Sequence, residues 1–314
     1  MSPLASIVVP AYRSVAVGAT IESLLAAGGE IDFELIVVLN GATSEVRELT
    51  ARFADEATII DSPVNLGVSG AFNLGFSAAG GDYLVEIQDD ATPDPGWLDH
   101  LASAVESAPD VAGAGALVLD ETGRLRDPGW IIWRSGVTSP ALIDLSLDPA
   151  AYTKRRAVDY HGSAGMLFRR AAWESVGGLD DSFYPAYYGD VDFCWRLRQR
   201  GWRVLLEPRA VVRHASGGSS SEEFRSFASN RNRELFLERH APSIADHGEF
   251  SRNPASVARE LARAANVPPG PRPAPAKADE LRLLSERTQL DPSAVLDRER
   301  EVAAAFAEER RRRS

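Results

Sequence analysis

A single cysteine, Cys194, occurs in 314 residues. That excludes an internal disulfide framework and a cysteine-built zinc site. Cations are also in deficit: 34 Lys and Arg face 45 Asp and Glu, for a net charge of −11. A broad nucleic-acid footprint needs clustered Lys and Arg, so this balance argues against one. No stretch approaches the ~20 apolar residues of a membrane-spanning helix. The start, MSPLASIVVPAY, lacks a basic segment followed by a long apolar one and does not read as a signal peptide. These absences suit a cytoplasmic protein with at most peripheral contact at the inner face of a membrane. Two phosphate signatures are missing as well: no G-x-G-x-x-G follows a strand, and no G-x-x-x-x-G-K-[ST] occurs. What remains is 44% hydrophobic and 25% charged, an ordinary globular composition with room for one large or two modest domains.

Short apolar runs alternate with helix-like segments in the first third. SIVVP (Ser6–Pro10), FELIVVL (Phe33–Leu39), ATII (Ala57–Ile60) and DYLVEIQ (Asp82–Gln88) have the length and content of buried strands. Between them VGATIESLLAAGG (Val17–Gly29), SEVRELTARFADE (Ser44–Glu56, with Ser44 as N-cap) and VSGAFNLGFSAA (Val68–Ala79) predict helices. This rhythm implies an α/β fold with a mostly parallel sheet covered by helices. The middle is less regular. GWIIWRSG and SPALIDLSLDPAAY suggest strands and loops, GSAGMLFRR a strand, and AAWESVG a helix. GDVDFCWRLRQRG (Gly189–Gly201) predicts an amphipathic helix, WRVLLEP and AVVRH two short strands, and Ser221–His240 a long helix. VPPGPRPAPAK (Val267–Lys277) is a proline-rich linker. The residues beyond it form helix-prone tail segments, expected to dock on the same chain or on a second subunit.

Chemistry concentrates in a few places. VEIQDDATPDPGW (Val85–Trp97) brings a buried strand to an abrupt end in Asp89 and Asp90. In sheets of this kind ligands gather beyond the carboxyl ends of strands. Carboxylates there can hold a hard divalent cation that also grips phosphate oxygens, although an isolated Asp-Asp pair is more often a solvated turn. Asn65, Gly67, Gly70, Asn73 and Gly75 surround a helix start that suits an anion, or a turn that merely lets helix and sheet approach. Asp190 and Asp192 open the amphipathic helix, either as caps or with one of them as a general base. His214 ends a strand at a glycine-serine loop, where one ring nitrogen could ligate a metal.

In chain order SIVVPAY, FELIVVLNG, NLGVSGAFNLGFSAAGGDYLVEIQDDA, GSAGMLFRRAAWESVGGLDDSFYPAYYGDVDFCWRLRQRGWRV and VVRHASGGSS resemble family 2 glycosyltransferases of the GT-A fold, in the rhamnosyltransferase-like group. The resemblance implies a nucleotide-diphospho-sugar transferase fold over residues 1–240, with a nucleotide half to about 118 and an acceptor half beyond it. A helical connection (241–266), the linker (267–277) and a helical tail (278–314) would follow. It further implies inverting, Mn²⁺- or Mg²⁺-dependent hexosyl transfer from a nucleotide diphosphate sugar, UDP or dTDP ahead of GDP, to a hydroxyl on a glycan, lipid-linked or small-molecule acceptor. Asp90 and His214 match the metal ligands and Asp190 the catalytic base, its basicity lowered by helix dipole and metal. Pro10, Ala11, Tyr12, Asn40, Asn65, Gly67, Asn73, Gln88 and Asp89 fall on the nucleotide-sugar side. Asp192, Tyr187, Tyr188 and Trp130 fall on the acceptor side. Three positions depart from the family pattern: Leu39 replaces an aspartate that bonds uracil, Gln88 an acidic residue, and Gly189 a glutamate. A non-catalytic partner or glycan-binding homologue and a sugar nucleotidyltransferase stay open as alternatives, as does a homo-oligomer formed through the C-terminal helices.

Overall fold

A computed structural model describes residues 5–141, 154–215, 220–267 and 291–313. The first part of the chain runs β1 (Ala5–Ala11), α1 (Val17–Ala26), β2 (Phe33–Asn40), α2 (Ser44–Ala51), β3 (Ala57–Ser62), α3 (Gly67–Ala78), β4 (Tyr83–Glu86), β5 (Ala91–Pro93), α4 (Trp97–Val105) and β6 (Val111–Leu119). Then come β7 (Leu125–Asp127), β8 (Trp130–Ile132), β9 (Thr138–Pro140), β10 (Arg156–Val158), β11 (Met166–Arg169) and α5 (Arg170–Ser175). Last are α6 (Gly189–Gln199), β12 (Arg203–His214), α7 (Glu222–His240), α8 (Pro254–Ala265) and α9 (Pro292–Arg313).

The main sheet has the order β10-β12-β6-β11-β4-β1-β2-β3, with β5 on β12 and β7 on β6. β3, β2, β1 and β4 pair in parallel, and β12 pairs in parallel with β6. β11 lies antiparallel between β4 and β6, and β10 is antiparallel to β12. Six of the eight strands on this path therefore run the same way, so their carboxyl ends share one edge. Side chains alternate between two cores. Val8, Ile36 and Leu84 face one with Phe72, Phe76 and Val191. Ile7, Val9, Val37 and Val85 face the other with Ile21, Val46 and Leu101. Burial on both faces is why these strands read as unbroken apolar runs. α3 lies close on β1 because Gly75 has no side chain: a Cβ there would sit 2.4 Å from Val8 Cγ1.

Three local expectations change. The cap of α2 is Thr43, whose hydroxyl accepts from Val46 N at 3.4 Å, and the helix stops at Ala51. The two short strands before His214 are one strand, β12, with a register shift between Glu207 and Val211. Pro208 lies in that gap, where a missing N–H is tolerated. Residues 241–267 are more than a connection. Val257 and Ala264 are buried, His247 Nδ1 lies 2.7 Å from Ile132 O, and Arg263 of α8 bonds Asp159 and Glu260. α9 docks on the same chain: Phe306 packs 5.2 Å from the rings of Phe224 and Phe227 on α7, and Arg298 reaches Asp181. The proline-rich linker and ELRLLSERTQL lie outside the described residues. No helix among the described residues is long and apolar enough to cross a membrane.

Candidate active site

The carboxyl tip of β4 continues through Gln88, Asp89 and Asp90 into β5, which pairs with the end of β12 so that Ala91 faces His214. This pairing sets His214 Nε2 at 2.9 Å from Asp90 Oδ1, both mostly shielded. Ala215 N donates to Asp90 O at 3.0 Å and fixes the corner. Asp89 points the other way. Its Oδ2 accepts from Tyr12 N at 3.3 Å, and its carbonyl accepts from Thr20, tying the tips of β1 and β4 together. Burial pushes the Asp89 carboxyl up to about 6; the Tyr12 bond opposes this and neighbouring Asp90 adds to it. Gln88 Nε2 donates to Ser163 Oγ at 2.9 Å. Pro10 and Tyr12 are partly exposed beside this corner, and Arg13 stacks 4.6 Å from the Tyr12 ring centroid. The side chain of Ala11 is wholly in the core.

Asp190 sits in the first turn of α6. The loop at 161–163 links it to the same strand tip: Ser163 touches Gln88, while a Cβ on Gly162 would lie 3.0 Å from Asp127 Oδ2 and 3.9 Å from Asp190 Oδ2. Burial raises the Asp190 carboxyl to about 6; a bond from Val191 N at 2.9 Å opposes the rise, and Asp127 adds to it. Loss of water thus outweighs the N-terminal turn at Asp190. Asp127 and His161 had no motif to announce them. His161 is buried against Ala116 O (2.6 Å) and Gly162 O (2.8 Å), in space that Gly115 leaves free. A Cβ on Gly189 would fall 2.3 Å from Ser69 Oγ, so the family glutamate could stand there only if Ser69 shifted.

Several residues expected to meet a ligand are committed elsewhere. Asn73 is fully buried and exchanges both amide bonds with the Leu179 backbone, at 2.8 and 3.0 Å. Asn40 bonds Asn65 Oδ1, Gly67 O and Leu66 N, and Asn65 Oδ1 also accepts from Gly67 N. Val68 N donates to Pro185 O at 2.8 Å. The amides of residues 66, 67 and 68 are thus already paired, and the start of α3 is a packed turn, not an anion cradle. Gly67 belongs to that packing: a Cβ there would lie 2.7 Å from Pro185 O. Asp192 does not face an acceptor. It is 1% exposed, with Arg196 Nε at 2.7 Å and His240 Nε2 at 2.8 Å. Tyr188 is buried and bonds Gly136 O at 2.8 Å. Trp130 stacks on Tyr160 at 5.9 Å, and Tyr187 is 38% exposed. Asn73→Ala is expected to cost about 1–3 kcal/mol of stability through the unpaired Leu179 backbone. Nucleotide affinity should not change in calorimetric titrations of the folded variant; a matching loss would return Asn73 to the ligand.

Among the described residues no three His, Cys, Asp or Glu side chains form a metal cluster. The β4 tip offers a two-donor set. Its 2.9 Å spacing matches the ~3 Å between adjacent donors of an octahedral ion bound at ~2.1 Å. Such ions commonly take one or two protein ligands and fill the rest with water and phosphate oxygens. Asp90 and His214 fit that demand.

A mostly parallel α/β sheet with the Asp90–His214 pair at the carboxyl edge of its strands sets the class. Residues 6–175, or 170 of 314, match glycosyl transferase family 2, and the chain belongs to that family. The pre-mycofactocin glycosyltransferase of Mycobacterium tuberculosis is 31% identical over 156 residues, 50% of this chain and 32% of that protein. The structure of GalNAc-T7 with UDP, GalNAc and Mn²⁺ aligns with a TM-score of 0.61 at 12% identity, over 86% of this chain and 59% of that one. A mannosyltransferase of Pyrobaculum calidifontis with GDP-Man and Mn²⁺ aligns at 0.54 and 17%, over 98% and 81%. At these identities the two structures establish the GT-A fold. The alignments cover only 25% and 32% of the length of two curated relatives.

Proposed function

We propose that the chain transfers a hexosyl group from a nucleotide diphosphate sugar to an acceptor hydroxyl with inversion at the anomeric carbon. The observation that carries this reading is the Asp90–His214 pair at 2.9 Å together with Asp190, raised to about 6, which the 161–163 loop links to the same strand tip. Asp90 and His214 would hold a divalent Mn²⁺ or Mg²⁺, which offsets charge on a diphosphate leaving group. Asp190 takes the proton of the acceptor hydroxyl. The acceptor oxygen bonds the anomeric carbon as the carbon–phosphate oxygen bond breaks, and that electron pair leaves with the nucleoside diphosphate. Attack from the far face in one displacement inverts the centre. A carboxyl raised to about 6 is mostly ionised at neutral pH yet more basic than an ordinary aspartate, close to the optimum for a general base. Tyr187, exposed at the rim, is available to an acceptor. UDP and dTDP sugars lead the donor candidates, with GDP next.

The test is a panel of UDP, dTDP and GDP sugars incubated with the chain, Mn²⁺ and a mixed acceptor pool. Release of nucleoside diphosphate with a glycosylated product supports transfer. Pyrophosphate release would make it a nucleotidyltransferase, and no turnover with any donor would defeat the reading.

A further inference from the structure

The segment that delivers Asp190 is strained. Tyr187 and Tyr188 have φ of 71° and 66°, two successive bulky residues in the left-handed region. Such backbone persists only where its surroundings over-determine it. Three contacts do so from outside the segment. Tyr188 Oη donates to Gly136 O at 2.8 Å, and Val68 N to Pro185 O at 2.8 Å. The third is Asn232 of α7, fully buried, whose Nδ2 lies 3.0, 2.9 and 2.9 Å from the carbonyl oxygens of Phe183, Ala186 and Tyr187. Two N–H bonds thus serve three acceptors. Arg231 Nη1 donates to Asn232 Oδ1 at 2.7 Å, which fixes the amide's orientation. Immediately after the gathered carbonyls, Tyr188 is the N-cap residue of α6, and its carbonyl accepts from Asp192 N at 2.9 Å. The path from Asn232 to the first turn of α6 is therefore short and rigid.

We propose that Asn232 is a positioning residue for sugar transfer: by gathering three carbonyls it locks the left-handed Tyr187–Tyr188 turn and so sets the reach of Asp190 toward the acceptor. This rests on the reading of Asp190 as base. Only a donor can do the work. An aspartate at 232 has the same shape but would aim one carboxylate oxygen at three carbonyl oxygens while the other stays on Arg231. An alanine leaves those carbonyls unpaired and the strained turn free to relax toward negative φ.

The experiment compares Asn232→Asp and Asn232→Ala with the parent, each alone and combined with Tyr187→Gly, alongside Tyr187→Gly itself. Donor turnover and nucleoside diphosphate affinity are measured on protein verified as folded. A misplacement of about 1 Å can cost 10²-fold in rate, so kcat for transfer should fall by about 10–100-fold. UDP or GDP affinity, whichever the parent binds, should stay within about twofold. Glycine accepts positive φ without steric cost. In a Tyr187→Gly background Asn232→Ala should therefore cost less kcat than it does in the parent. Should Asn232→Ala fail to fold, the same comparison is made with Asn232→Gln, which keeps the donor on a longer arm and should show a smaller loss. Unchanged kcat in folded variants, or nucleotide affinity falling in step with kcat, would reduce Asn232 to a packing residue. If Asp190→Asn is impaired while Asn232→Asp is not, this proposal alone fails. If Asp190→Asn is unimpaired, the base assignment fails and takes this proposal with it.

Discussion

Asp190→Asn should lower sugar transfer by about 10²–10⁴-fold, the usual contribution of a general base, and should also make the unliganded protein more stable above pH 6. The second effect follows from the sign of the pKa shift. The Asp190 carboxyl rises from 3.8 to about 6 in the folded chain, chiefly through burial. The folded state therefore holds this proton more tightly than the unfolded state does. Stability falls as pH rises through that window and stays reduced above it. Asparagine cannot ionise, so the cost disappears, for a gain of about 1–3 kcal/mol at pH 7–8. Asp192→Asn should do the reverse. Burial opposes the charge of Asp192, but Arg196 and His240 outweigh it and hold the carboxyl below its ordinary value. Its contribution is present at neutral pH and is lost as pH falls through the folded-state pKa. Breaking a buried pair of this kind costs about 3–5 kcal/mol. Thermal melts at pH 5 and pH 8, together with the acid limb of the rate profile near 6, separate the two carboxylates. An Asp190→Asn variant that transfers at the parent rate would remove Asp190 from the chemistry, and one that melts lower than the parent at pH 8 would overturn the stability cost assigned to its charge. This opposition of activity and stability is expected where a site is built on a disfavoured charge.

The strands that carry the site were legible because their physics is local. β1, β2 and β4 are covered on both faces, so each is a short apolar run, and the run ends where the ligand edge begins. Asp89 and Asp90 at such an end stood out for that reason. The amide residues were not separable in the same way. Asn73 looks the same in sequence whether it meets a sugar or a carbonyl, and its partner, Leu179, lies 106 positions away. Asn40 and Asn65 are alike in this: the turn they build consumes the donors that a glycine-rich helix start would otherwise offer. Asp190 and Asp192 both open α6, but two residues apart they leave the helix on different sides, and Asp192 turns to Arg196 and His240. Burial, and with it the raised pKa of Asp190, depends on Asp127 and the 161–163 loop, which reach the site from distant strands. The break at Pro208 hid the continuity of β12, although the pairing of that strand with β5 is what brings His214 to Asp90.

Asp90→Ala and His214→Ala are each expected to remove most of the metal-dependent part of nucleotide binding while leaving the unliganded fold near its parent stability. Both side chains sit at strand ends and not in the hydrophobic core, and His214 is bonded to Asp90. Their removal leaves no deep cavity, so the cost to the fold should stay within about 1 kcal/mol, as for other sites away from the core. The effect on binding should be far larger. A ligand at 100 times its Kd stabilises the folded state by about 2.7 kcal/mol. In the parent, nucleoside diphosphate with Mn²⁺ should therefore raise the melting temperature by several degrees over nucleotide or Mn²⁺ alone. In either variant the increment added by Mn²⁺ should be largely lost, because half of the protein donors to the ion are gone and water and phosphate must hold the rest. Gln88→Ala provides the contrast: its amide nitrogen is spent on Ser163 at 2.9 Å, and the Mn²⁺ increment should persist. The decisive measurement is the three-way comparison of melts with nucleotide, with Mn²⁺ and with both. A His214→Ala protein that keeps the full increment would move the ion away from β12. An Asp90→Ala protein that keeps it would leave the strand tip without the role its paired charges suggest.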